Sequence, residues 1–213
     1  MDRQYEIARQ LLSIGAVFLR PDEPFTWASG IHSPIYCDNR LVLSYPKART
    51  AVENAFADTL REKYPDCEML MGTSTAGIAH AAITATILGL PMGYVRSGAK
   101  DHGRGNQIEG KLEKGQKVVV IEDLISTAGS VLEVVEALRD AGAQVLGIIS
   151  IFTYGMQKGL DRMAQAQVEN TSLTTLDALL EAAAKERYIA PEDIARIKRF
   201  RDNPSDESWM CKA

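Results

Sequence analysis

An apolar run ends in two adjacent acids: Val118-Val119-Val120-Ile121 leads into Glu122 and Asp123, then Leu124-Ile125-Ser126-Thr127-Ala128-Gly129-Ser130. Unpaired carboxylates at the end of a buried strand are costly unless something holds them, so this pair points to a ligand. The residues that follow offer backbone N–H groups and the hydroxyls of Ser126, Thr127 and Ser130, ahead of a predicted helix. Small side chains let an anion approach the backbone there, and the start of a helix favours negative charge. Like charges keep a phosphate away from Glu122 and Asp123, which suit sugar hydroxyls, a metal or a developing cation. A ribose 5-phosphate meets both demands. The plainer alternative is an acidic strand end before a Ser/Thr-capped helix, which is common. The run lacks the Gly-Lys-Ser/Thr ending of a Walker A loop and is not GxGxxG.

The elements that must position these residues follow from periodicity. Residues 117–121 are β-branched without alternation, as expected of a strand buried on both faces. Residues 126–140 place Val131, Val134, Val135 and Leu138 at helical spacing, and Gly142 closes that helix. Strands are predicted at 69–71, 92–96 and 144–152, with a small-residue loop at 72–77 and an Ala-rich helix at 78–88 ended by Gly89 and Pro91. Alternating strands and helices predict a parallel sheet with helices on both faces, and ligands in such sheets sit beyond the carboxyl ends of the strands. Upstream, a short helix at 5–13 precedes strand pieces at 16–19, 25–27 and 35–37, with a turn at 29–34; a helix at 45–63 has Pro46 in its first turn. Residues 97–109 are polar, glycine-rich and too long for an ordinary connection, which predicts a mobile functional loop. Two helical patterns follow at 174–186 and 191–200, and the polar segment 202–213 is expected to fray. The expected organisation is an N-terminal helix and hood over 1–40, an α/β core over 41–170 and a C-terminal helical extension over 171–213.

The 213 residues are 46% apolar and 24% charged, enough for a substantial core without staples. A formal net charge of −4 argues against a dedicated nucleic-acid binder. Cys37, Cys67 and Cys211 are odd in number and widely spaced, giving neither a metal-ligand spacing nor a disulfide framework, which suits a reducing cytoplasm. The charged start lacks the apolar centre of a signal peptide, and the apolar stretch 79–92 is interrupted and too short to cross a bilayer. A cytoplasmic protein without membrane contact is expected.

Residues 122–130 resemble the phosphoribosyl pyrophosphate (PRPP) signature of the type I phosphoribosyltransferases. Three further segments resemble the orotate phosphoribosyltransferases in particular: Phe25-Thr26-Trp27-Ala28-Ser29-Gly30 with Ser33-Pro34-Ile35-Tyr36, the loop Ala99-Lys100-Asp101-His102-Gly103, and the pyrophosphate loop Gly72-Thr73-Ser74-Thr75-Ala76-Gly77. They occur in the family's order over roughly residues 1–165. The resemblance implies the type I fold with a small hood and a mobile catalytic loop. It also implies transfer of the phosphoribosyl group from PRPP to orotate through an oxocarbenium-like transition state. On this reading PRPP contacts Arg96, Lys100, His102 and the stretch Glu122, Asp123, Leu124, Ile125, Ser126, Thr127, Ala128, Gly129 and Ser130. Lys100, His102 and Asp123 are catalytic. Ser126 and Tyr36 serve orotate, and Thr73, Ser74, Thr75 and Ala76 cradle pyrophosphate. Mg²⁺ is implied as cofactor, held by PRPP and water without dedicated protein ligands, in a homodimer whose catalytic loop reaches the neighbouring site.

Elementary chemistry agrees with that division of labour. Positive charge grows on the ribose while negative charge grows on the leaving pyrophosphate, so the protein mainly positions and stabilises. A mobile cationic loop carrying Lys100, His102 and Arg104 can close, exclude water and release product; the alternative is a solvated charged loop. Tyr36 suits stacking on a flat ring or a structural place, His32 lies in a turn near the hood, and His80 is expected to pack in an apolar helix. The sequence departs from some relatives at Ala28, Ala76 and Ser97, which replace basic residues. It departs again at Thr153-Tyr154-Gly155, where many relatives have an arginine for the orotate carboxylate. A purine phosphoribosyltransferase and a non-catalytic PRPP sensor remain as alternatives.

Overall fold

The structure, a computed structural model, describes residues 2–26, 30–96, 98 and 107–211. Helix α1 (Arg3–Ser13), capped by the Asp2 carboxylate on the Gln4 N–H, leads into two small antiparallel pairs. These are β1 (Val17–Leu19) with β4 (Ile35–Cys37), and β2 (Phe25–Thr26) with β3 (His32–Ser33). A 3₁₀ turn (Asn39–Ser44) precedes α2 (Pro46–Lys63), and the core then runs β5 (Met69–Thr73), α3 (Ala76–Leu88), β6 (Met92–Val95), β7 (Ile108–Glu109), β8 (Lys117–Ile125), α4 (Gly129–Asp140), β9 (Gln144–Thr153), α5 (Gln157–Gln165) and β10 (Asn170–Thr175). Helices α6 (Leu176–Lys185) and α7 (Asp193–Asp202) and a 3₁₀ turn (Glu207–Met210) complete the described chain.

The central sheet has the order β10-β9-β8-β5-β6-β7. Neighbours run parallel except β7, which pairs antiparallel with β6 through Tyr94↔Glu109 and Val95↔Ile108. The parallel central sheet expected from the sequence is present over five strands, and the short edge strand β7 adds one antiparallel pairing. The pleat sends successive side chains to opposite faces. Val118 and Val120 pack with Met69, Met71, Val131 and Val135 beneath α4, while Val119 and Ile121 pack with Leu70 and Phe56 on the face covered by α1, α2, α3 and α6. Both faces are dry, which is why the strand is apolar without alternation.

Several boundaries move. The strand predicted to stop at 121 continues to Ile125, so Glu122 and Asp123 lie within it, and α4 begins at Gly129 rather than at 126. Strand β5 likewise extends to Thr73 and α3 starts at Ala76, which shortens the 72–77 loop to Ser74 and Thr75. Strand β3 occupies part of the predicted 29–34 turn. Helix α5 and strand β10 are additions to the predicted elements. Strand β10 is largely polar because it is an edge, joined to β9 by the hydroxyls of Ser150 and Ser172, 2.7 Å apart, and by Asn170. The tail does not fray over its described part: Trp209 is fully buried, its ring centroid 5.8 Å from that of Phe200.

One buried polar group crosses the apolar face. Glu53 of α2 meets His80 Nδ1 at 2.6 Å and accepts from the Thr84 hydroxyl at 2.9 Å, all three side chains being buried. His80 is therefore internal, as expected, but it belongs to a polar network as well as to the packing. Among the described residues no helix is long and apolar enough to cross a membrane.

Candidate active site

The carboxyl ends of β5, β6 and β8 and the start of α4 enclose a cleft. Thr73, Ser74, Arg96, Glu122 and Ser130 line it, with a volume of about 60 Å³. A larger hollow of about 920 Å³ lies between the hood and the α6–α7 connection, lined by Arg20, Glu23, Arg187 and Tyr188. That hollow contains none of the predicted site residues; five of them line the small cleft instead.

Close packing builds the floor. A side chain at Gly77 would collide with the Ile121 carbonyl and the Thr73 hydroxyl, and one at Gly72 with the backbone of Gly77 and Ile78. Glycine at these places lets the first turn of α3 lie directly on β5 and β8. Thr73 then donates its hydroxyl to Glu122 Oε1 at 2.8 Å, and the Asp123 N–H donates to the same oxygen at 2.9 Å. Ser74 donates both its N–H (3.2 Å) and its hydroxyl (2.6 Å) to the Val95 carbonyl, tying the short loop to β6. Glu122 is 6% exposed. Burial first, then the neighbouring Asp123 carboxylate, raise its carboxyl to about 8, against the opposing pull of Thr73 and the Asp123 N–H. Asp123 is half-buried. Its carbonyl accepts from Asn39 Nδ2 at 2.8 Å, and its charge, after burial, helps push the Cys37 thiol up. The acid strand is thereby joined to the end of the hood.

The segment between β8 and α4 is held from behind. Ala128 adopts a left-handed conformation at φ 59°, and no side chain caps the start of α4. The Ser/Thr cap of the plainer alternative is therefore not formed, and the first-turn N–H groups have no side-chain acceptor from the capping residue. Arg162 of α5 donates to the Thr127 carbonyl at 3.1 Å, and Gly159 brings α5 close against the Ser126 carbonyl. The Tyr154 N–H donates to the Ile125 carbonyl at 3.0 Å. Such a braced, amide-lined helix start suits a phosphate.

The predicted residues fall into groups. Thr73, Ser74, Arg96, Glu122 and Ser130 share the cleft. Thr75 is exposed and Ala76 half-buried at the adjoining start of α3, while Ser126, Thr127 and Gly129 are half-buried and Ala128 is buried beside the start of α4. Ile125 is buried in the α4-side core and Leu124 packs against the opposite cluster, so their side chains serve packing. Arg96 pairs through Nε with Glu109 Oε1 of β7 at 3.1 Å, a partner the sequence reading missed. Tyr36, on β4 of the hood, does not line the cleft; it is 42% exposed, its ring 5.7 Å from that of Phe25. Lys100 and His102, like Trp27–Ser29, are outside the described residues. Arg162, Glu109 and Asn39 were not singled out from the sequence, because their roles arise from elements distant in the chain. Among the described residues no group of three His, Cys, Asp or Glu could hold a metal ion.

Comparison with known proteins narrows the assignment. The family model described as "Phosphoribosyl transferase domain" matches residues 42–179. An orotate phosphoribosyltransferase of Bacillus cereus (strain G9842) is 56% identical over 205 residues, covering 96% of this chain and 98% of its own. The crystal structure of orotate phosphoribosyltransferase from Aeropyrum pernix superposes with a TM-score of 0.74 at 30% identity, covering 86% of this chain and 99% of that one. Leishmania donovani UMP synthase superposes with a TM-score of 0.78 at 26% identity, covering 93% of this chain, which spans 42% of that longer one. The fold is that of the type I phosphoribosyltransferases, and the chain belongs to the orotate phosphoribosyltransferase family.

Proposed function

We propose that the protein transfers the 5-phosphoribosyl group of PRPP to a ring nitrogen of orotate, releasing pyrophosphate and giving orotidine 5′-phosphate for pyrimidine nucleotide synthesis. The observation that carries this reading is the joining of Glu122 to Thr73 at 2.8 Å beside an α4 start that no side chain caps. It supports the reading because acids suited to a ribose, amides suited to its 5-phosphate and a small-residue loop suited to pyrophosphate then border one hollow. The N–H groups of residues 126–130 hold the 5-phosphate. Asp123 and Glu122 face the ribose hydroxyls, and Asp123 stabilises the positive charge that grows as the anomeric carbon–oxygen bond breaks. The residues Thr73–Ala76 hold the leaving pyrophosphate, with Arg96, Lys100 and His102 supplying positive charge. Ser126 and Tyr36 orient orotate at the hood. Bound Mg²⁺ would supply charge neutralisation to the pyrophosphate. The protein acts in the cytoplasm as a homodimer whose catalytic loop serves the neighbouring site.

Purified protein mixed with PRPP, Mg²⁺ and orotate should consume orotate, followed as loss of its ultraviolet absorbance. Turnover of hypoxanthine or adenine with orotate untouched would reject the reading.

A further inference from the structure

The β2–β3 hairpin of the hood is too small to hold its own shape. Strands β2 and β3 contribute two residues each, and even a much longer isolated hairpin is marginal in water. Neither belongs to the central sheet. Two side chains of the C-terminal extension grip this hairpin, one near each end.

Arg196 of α7, 4% exposed, is the first. Its Nη1 donates to Asp22 Oδ1 and to Asp193 Oδ1, both at 2.8 Å. Its Nη2 donates to the Pro21 carbonyl at 2.8 Å and the Met210 carbonyl at 3.2 Å, and its Nε to the Trp209 carbonyl at 3.1 Å. An arginine has five N–H donors in a fixed fork, and all of them are used. Two go to the strand-linking segment just ahead of β2, two to the terminal turn and one to its own helix. A buried guanidinium is tolerated only when so fully paired. The second grip is Glu207 of the terminal turn, whose Oε1 lies 2.7 Å from His32 Nδ1 on β3. Asp22 and His32 thus flank the segment that carries Phe25 and Thr26.

We propose that the C-terminal extension is a clasp that sets the hood over the nucleobase end of the site, with Arg196 as its positioning residue. The proposal rests on the reading of the hood as the orotate side. It predicts a selective kinetic effect, because the cleft for the phosphates and ribose is built from β5, β6, β8 and α4, which Arg196 does not touch.

The test is steady-state kinetics of the full-length enzyme, with folding checked by circular dichroism. Arg196→Lys keeps the charge but loses the fork. It should raise KM for orotate about five- to tenfold, leave KM for PRPP and kcat within twofold, and speed amide exchange in strands β1 to β4. Glu207→Gln, at an exposed position, should raise KM for orotate about twofold. If Arg196→Lys does not fold, Asp22→Asn takes its place, with a two- to threefold rise expected. A folded variant whose KM for orotate is unchanged, or whose two KM values rise together, overturns the clasp. A selective rise in KM for PRPP would keep the clasp and overturn the assignment of the hood to orotate.

Discussion

Replacing Glu122 by glutamine removes a titrating group while keeping an oxygen to accept from the Thr73 hydroxyl and the Asp123 N–H. Burial and the Asp123 carboxylate raise the Glu122 carboxyl from its ordinary 4.5 to about 8. The folded protein therefore binds this proton more tightly than the unfolded chain does. The stability that results is complete below about pH 4.5 and is lost as pH rises through about 8. At about 1.4 kcal/mol per pH unit the ceiling is roughly 5 kcal/mol, and sharing with Asp123 brings the expected loss to roughly 2–4 kcal/mol. Urea unfolding of the substrate-free protein at fixed ionic strength, from pH 5 to pH 9, measures it. The wild type should lose that much more stability across the range than Glu122→Gln, and the two curves should cross, with the variant the more stable at pH 9. Parallel curves would refute the assignment of a proton to Glu122 in the folded state.

Three other perturbations follow from the geometry. Glu109→Gln takes one carboxylate from Arg96 at a partly exposed pair, so the Kd for pyrophosphate by calorimetry should fall about two- to fivefold. Arg162→Met removes the donor that braces the Thr127 carbonyl from behind; KM for PRPP should rise several-fold, with a loss of about 1–2 kcal/mol in unfolding free energy. Gly77→Ala forces a methyl group against the Ile121 carbonyl, and thermal melting should report a loss of about 2–4 kcal/mol or failure to fold.

The core was legible because its signals are local. The unbroken apolar run at 118–121 announces a strand covered on both faces, and Val131, Val134, Val135 and Leu138 announce the face of α4. Boundaries at the site were not legible. Glu122 and Asp123 look like the end of a strand because they are charged, yet the ladder to β9 continues through Glu122↔Ser150 and Leu124↔Phe152. Hydrogen bonding between backbones does not read side-chain charge. Strand β10 escaped because an edge strand can afford Asn, Thr and Ser. The burial of Arg196, in the helix predicted at 191–200, and of Trp209, in the polar tail, escaped because the partners that order them lie far away in the chain, at residues 21 and 22 for Arg196 and at 32 for the tail.

The acid–imidazole–hydroxyl set joining α2 to α3 constrains how this chain can vary. Removing one member of Glu53, His80 and Thr84 would abandon the others in a dry interior, which costs more than replacing the whole group with hydrocarbon of the same shape. The three positions should therefore be inherited as a unit. A lineage that drops the imidazole should also have traded the acid, with the intermediate carrying only one of the two changes being the least stable of the series.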